Sequence, residues 1–221
     1  MTAREDQVKF YYRHRENYDW TRTASSLVGL ETFFHRSRLK ETLKLVAEFG
    51  PPGRYLDVGC GTAMVTRFLP PGTVGLDLNP RNLEKARRYA PSSHLVLCDA
   101  EGAIPLANAT FDAAVCTEML EHLLQPALAL AELGRLLKPT GILIGSVPGE
   151  SPIWKLRGLS SSRGCFVAEP YHKHYSRAAL MELLSQAFDV RKLYSRNWEM
   201  NWFFVCRQRL DTEASPAWPR G

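Results

Sequence analysis

The run Tyr55-Leu56-Asp57-Val58, followed by Gly59-Cys60-Gly61-Thr62, constrains this chain more than any other stretch. A short, mostly apolar strand feeds a glycine-rich turn, and a helix is expected after it to about Phe68. A parallel α/β sheet builds a ligand crevice in this way, at the carboxyl end of its first strand. Gly59 and Gly61 can take backbone conformations closed to other residues and let a ligand approach the main chain. Asp57, two residues before the first glycine, brings a carboxylate to the same crevice. A dinucleotide fold would want a third glycine at position 64, where helix and pyrophosphate come together. Met64 stands there and disfavours that reading.

Short β runs are expected at 55–58, 73–77, 94–98, 111–116 and 141–147, and helices at 36–49, from Asn79-Pro80 onward and at 126–137. An irregular helix is expected over 4–20, a further one over 177–188, and apolar strands near 190–194 and 202–206. That alternation is the pattern of a doubly wound α/β sheet. A chain of 221 residues makes one domain. It is taken as 1–210, with 1–50 as a helical cover, 148–175 as a substrate lid rich in Gly, Pro and Ser, and 211–221 as a flexible tail.

No apolar run approaches the ~20 residues of a membrane span, and Met1–Asp6 is charged where a secretory leader would be apolar. Five cysteines without a Cys-x-x-Cys pair make neither a disulfide framework nor a zinc site. The expected compartment is a reducing cytoplasm. Between Ser151 and Leu210 ten Lys/Arg face four Asp/Glu, a net +6. Between Pro91 and Glu150 two face seven, a net −5. The basic third is read either as solvated surface or as a face toward an anionic or lipid- or sugar-linked acceptor, with peripheral membrane contact open. No basic-aromatic stripe argues for nucleic acid.

Three expected strands end in polar groups at one sheet edge. Asp77, 18 residues after Gly59, could accept both ribose hydroxyls of a nucleoside, or cap the helix at Pro80. Asp99 closes the third strand, and Thr117-Glu118 close the fourth.

The Asp-x-Gly-x-Gly pattern resembles the first motif of the class I S-adenosylmethionine (SAM) methyltransferases. Gly75–Pro80, Leu97–Glu101, Phe111–His122 and Leu137–Pro148 resemble the motifs that follow it. Thr117-Glu118-Met119-Leu120-Glu121-His122 is similar to the branch containing ubiquinone-biosynthesis O-methyltransferases and many small-molecule or glycan-tailoring enzymes. The resemblance implies a seven-stranded, mostly parallel Rossmann-like sheet with helices on both faces, and SAM as cofactor with S-adenosylhomocysteine (SAH) as product. It implies a cofactor set of Asp57, Gly59, Cys60, Gly61, Asp77, Leu78, Asn79, Asp99, Ala100, Thr117 and Glu118, with Asp99 accepting from the adenine amino group. Arg38, 19 residues before Asp57, resembles an arginine that binds the SAM carboxylate in some members, with Arg36 as the alternative. Ala63 departs from the common third glycine and narrows the turn.

The implied activity is methyl transfer to a small-molecule or lipid- or sugar-linked acceptor, at a hydroxyl oxygen. The other readings are a methyltransferase of protein or RNA and a non-catalytic SAM-binding protein. His122 follows the fourth strand, where a base would meet an acceptor hydroxyl, or it could orient the adjoining loop. His174, with His172, could reach the acceptor from the end of the lid. Glu118, Glu121 and His122 could attract a divalent ion, but a full ligand set is not visible and no metal is assigned. Tyr11, Tyr12, Tyr18 and Trp20 serve either as a cover over the site or as helix packing.

Overall fold

Tyr55–Val58 forms strand β1, and all four residues are buried. The computed structural model, which describes residues 3–15, 19–25, 30–152 and 171–209, shows the reason. β1 lies between β2 (Val74–Asp77) and β4 (Phe111–Thr117) and runs parallel to both. β3 (His94–Leu97) extends the sheet beyond β2, and β5 (Leu137–Pro148) extends it beyond β4, both in parallel. β6 (Phe188–Arg196) and β7 (Asn201–Gln208) form an antiparallel hairpin, and β7 pairs antiparallel with β5. The order is β3-β2-β1-β4-β5-β7-β6, the expected seven-stranded, mostly parallel sheet. The strand order reverses between β1 and β4, which opens a crevice at their carboxyl ends.

Helices cover both faces. α1 (Ala3–His14), α2 (Trp20–Ser25) and α3 (Leu30–Phe49) precede the sheet. α4 (Pro80–Tyr89), α5 (Pro126–Leu136) and α6 (Arg177–Ser185) follow β2, β4 and β5. Pro80 and Pro126 open their helices, where a missing N–H costs nothing. Asn79 and Ser176 cap α4 and α6 by accepting from the Arg81 and Ala179 N–H groups. Side chains alternate along β7 as a pleat requires. Trp202, Phe204 and Cys206 pack with Leu130, Leu133 and Phe188 on one face, and Phe203 and Val205 pack with Leu45 of α3 on the other. Among the described residues, no helix is long and apolar enough to cross a membrane.

The structure corrects several expectations. The helix expected up to Phe68 is a series of turns ending in one 3-10 turn, Thr66–Phe68. Gly61 and Ala63 hold φ of +54° and +65°, which a right-handed helix cannot accommodate. The irregular N-terminal helix is two helices, and α3 starts at Leu30 rather than Arg36. α6 stops at Ser185, because Phe188 enters β6 opposite Gln208. Among the described residues, Cys60, Cys116 and Cys206 are buried free thiols, and Cys98, just after β3, is only partly buried. Most of the proposed lid (153–170) and the tail (211–221) lie outside the described residues.

Gly145 of β5 tests the packing. A Cβ there would come within 2.3 Å of the Cys116 carbonyl oxygen and 2.3 Å of Phe204 Cζ. Gly145→Ala is expected to lose stability at or beyond the upper end of the ~1–3 kcal/mol typical of overpacking, read by chemical denaturation.

Candidate active site

A cavity of about 540 Å³ opens at the carboxyl ends of β1, β2 and β4. That volume is within the ~300–1,000 Å³ range of small-ligand sites. Its floor is the turn after β1. Gly59 and Gly61 are left-handed, at φ +70° and +54°. A Cβ on Gly59 would also lie 2.5 Å from Met119 Cγ, so that position needs glycine for space as well as conformation. The Cys60 N–H donates to the Leu76 carbonyl (2.8 Å), which ties the turn to β2. Asp57 borders the cavity, and its buried carboxylate accepts the Thr66 hydroxyl at 2.6 Å. Burial, opposed by that bond and aided by the charge of Asp77, raises its pKa to about 6.

Asp77 and Leu78 line the cavity. Asp77 accepts the Gly61 N–H (2.8 Å), the Asn79 N–H (2.8 Å) and the Asn82 amide (3.0 Å), and burial raises its pKa. Asn79 is not on the cavity wall. Its side chain caps α4 and donates to the Tyr12 and Arg15 carbonyls, whereas Asn82 lines the cavity. The helix cap is therefore Asn79, not Asp77. Cys60, Asp99 and Ala100 line the wall. Asp99 is paired with Lys9 of α1 at 2.7 Å, and Glu101 lies 3.4 Å from the same ammonium.

At the β4 end, Thr117 and Glu118 face the cavity. Glu118 is left-handed (φ +50°) and accepts from Arg38 (2.9 Å), Ser146 (2.9 Å) and Asn201 (3.3 Å). Of the two arginine alternatives, Arg38 lines the cavity and Arg36 is exposed. Arg38 Nη2 lies 3.1 Å from His35 Nδ1, and its buried Nε has no hydrogen-bond partner among the described residues.

His122 and His174 both reach the cavity. His122 Nδ1 is 3.1 Å from the Tyr12 hydroxyl, and Tyr12 donates to the Tyr171 carbonyl. His172 stands between the two histidines, 5.1 Å from the His122 ring and 5.0 Å from the His174 ring. Burial lowers the His174 pKa, with His172 adding to the effect, so His174 is neutral near pH 7. Glu121, His122 and His172 bring ligand-type atoms within 4.8 Å of one another. Glu118, weighed with Glu121 and His122 for an ion, is instead taken up by Arg38.

The roof is N-terminal. Val8, Lys9, Tyr12 and Arg15 line the cavity from α1 and the residue after it. Trp20 joins them, and Thr21 of α2 bonds both the carbonyl and the hydroxyl of Thr62. Lys9, His35, Thr66, Asn82 and Asn201 also line or brace the site, outside the motifs of the sequence. Only Asn82, in the first turn after Asn79-Pro80, had a local signal.

Residues 56–145 match the family described as a methyltransferase domain. The ubiquinone biosynthesis O-methyltransferase of Cereibacter sphaeroides is 33% identical over 106 residues, 45% of this chain and 42% of that protein. A thiol S-methyltransferase of Rattus norvegicus is 36% identical over 97 residues, 40% of this chain and 39% of that protein. The chain thus spans about two fifths of the length of these relatives. The magnesium protoporphyrin IX methyltransferase of Synechocystis, solved with bound SAH, shares the fold. Its TM-score is 0.68 at 16% identity, over 93% of this chain and 100% of that one. Residues 56–145 are thus similar to a methyltransferase domain, and the chain has the fold of a methyltransferase solved with bound SAH.

Asp57 makes the site's electrostatics measurable. Its folded pKa of about 6 lies above the ordinary value of 3.8, so between those pH values the folded chain holds a proton that the unfolded chain has released. The Asp57 contribution to stability therefore falls as pH rises through that window. Asp57→Asn is expected to gain stability relative to the parent from pH ~4 to ~6, by at most about 3 kcal/mol at ~1.4 kcal/mol per pKa unit. Paired denaturation curves at both pH values check this.

Proposed function

We propose that this chain binds SAM in the cavity and transfers its methyl group to the hydroxyl oxygen of a small-molecule acceptor. The observation that carries the reading is the convergence of the glycine turn, Asp77, Asp99, Glu118, Arg38 and His122 on one cavity. The donor set suits the cofactor. An acid-rich wall favours a sulfonium cation, the unpartnered Arg38 Nε suits a carboxylate, and Asp77 and Asp99 suit ribose hydroxyls and an adenine amino group. When bound, SAM supplies an already activated methyl group.

The protein then has two tasks. Alignment of acceptor and donor can be worth ~7–11 kcal/mol of barrier in favourable cases. Removal of the hydroxyl proton falls to His122, a base worth ~10²–10⁴-fold. A neutral His174 leaves a second lone pair near the acceptor and adds no positive charge beside the sulfonium. The name of the Cereibacter relative supports oxygen as acceptor atom. The Rattus relative, named for transfer to sulfur, marks the alternative. The excess of Lys and Arg after Ser151 supports an anionic or lipid- or sugar-linked acceptor.

Calorimetric titration with SAM and SAH, with NAD as control, tests the cofactor. Binding of both and none of NAD is expected, and a folded sample that binds neither would overturn the proposal. In the same assay Gly59→Arg should abolish binding. His122→Ala should lower turnover ~10²-fold or more with SAM affinity kept. Equal losses in both would assign His122 to cofactor orientation instead.

A further inference from the structure

We infer that Tyr12 of α1 is a positioning residue that decides which nitrogen of His122 carries the proton. The inference deepens the reading of His122 as base and rests on it for its catalytic meaning. A tyrosine hydroxyl has one hydrogen. Here that hydrogen goes to the Tyr171 carbonyl, which can only accept. The oxygen has only lone pairs left to offer His122 Nδ1, 3.1 Å away. Nδ1 must therefore be the N–H donor. In a neutral imidazole the lone pair then lies on Nε2, the atom that can take a proton. The opposite tautomer would set a lone pair against a lone pair at Tyr12 and leave Nε2 without basicity.

The ring is held as well as protonated on one side. Tyr12 lies 5.0 Å from it, centroid to centroid, and His172 lies 5.1 Å from it in edge geometry. Tyr12 is itself anchored, because its carbonyl accepts from Asn79 at 2.9 Å. A tyrosine oxygen polarised by its own donation is a better acceptor, and it favours the imidazolium that forms after proton uptake. Among the described residues, titratable groups facing the ring include Glu121, whose Oε1 is 3.8 Å from Nε2, and His172. Glu121 also favours the charged ring, and a charged His172 would oppose it. α1 thus supplies no reacting atom but directs the base from across the cavity.

Nitrogen NMR of the histidine rings tests this in the full chain saturated with SAH, for the parent, Tyr12→Phe and Tyr11→Phe. The parent should show His122 as the single Nδ1–H tautomer. Tyr12→Phe, also saturated with SAH, should show a mixture of tautomers and a titration midpoint moved to lower pH. Tyr11→Phe, next to it on the same helix, should leave the His122 signals unchanged. An Nε2–H tautomer in the parent would overturn the inference without any variant. So would a Tyr12→Phe spectrum and midpoint equal to the parent's. Undiminished turnover in His122→Ala would instead remove the base reading and leave the tautomer assignment standing.

Discussion

The left-handed turn from Gly59 to Ala63 is the constraint on which the cavity depends. The chain leaves a buried strand and must expose its backbone at once, without starting a helix. Two glycines make that possible, and the contact with Met119 explains why the first cannot carry a side chain. Ala63 holds a conformation that costs an L-residue roughly 1–2 kcal/mol, in a fully buried position. The turn survives because it is tied on both sides. Cys60 and Gly61 bond to β2 through Leu76 and Asp77, and Thr62 bonds to Thr21 of α2. Floor and roof therefore meet at the same few residues.

The second organising fact is an accumulation of acid along a partly buried edge. Burial raises the pKa of both Asp57 and Asp77. A cation bound nearby would lower both again. Two basic side chains stand at opposite ends of this field. Lys9 is set on Asp99, and Arg38 is set on Glu118. Both ion pairs are only partly exposed, and each joins an N-terminal helix to the end of a strand.

These long-range pairs mark the boundary of what one sequence discloses. Glycines, strand-end acids and helix-starting prolines act within a few residues of themselves, so their meaning could be read where they stand. Asn79 shows the limit at short range. Its position was legible, but whether it faced the ligand or capped α4 depended on the carbonyls of Tyr12 and Arg15. The misread helix after β1 has a local cause too: Ala63 is a good helix former placed where the fold demands a positive φ.

The sequence by itself determined the short β runs and helices of a doubly wound sheet, the glycine turn and the acids that close its strands, because periodicity and backbone freedom are local properties. Only the tertiary structure decided what covers that edge. Lys9 meets Asp99 across 90 residues of chain, and Tyr12 meets His122 across 110. No periodicity signals such a contact, since it exists only once the sheet has put the end of β4 beneath α1.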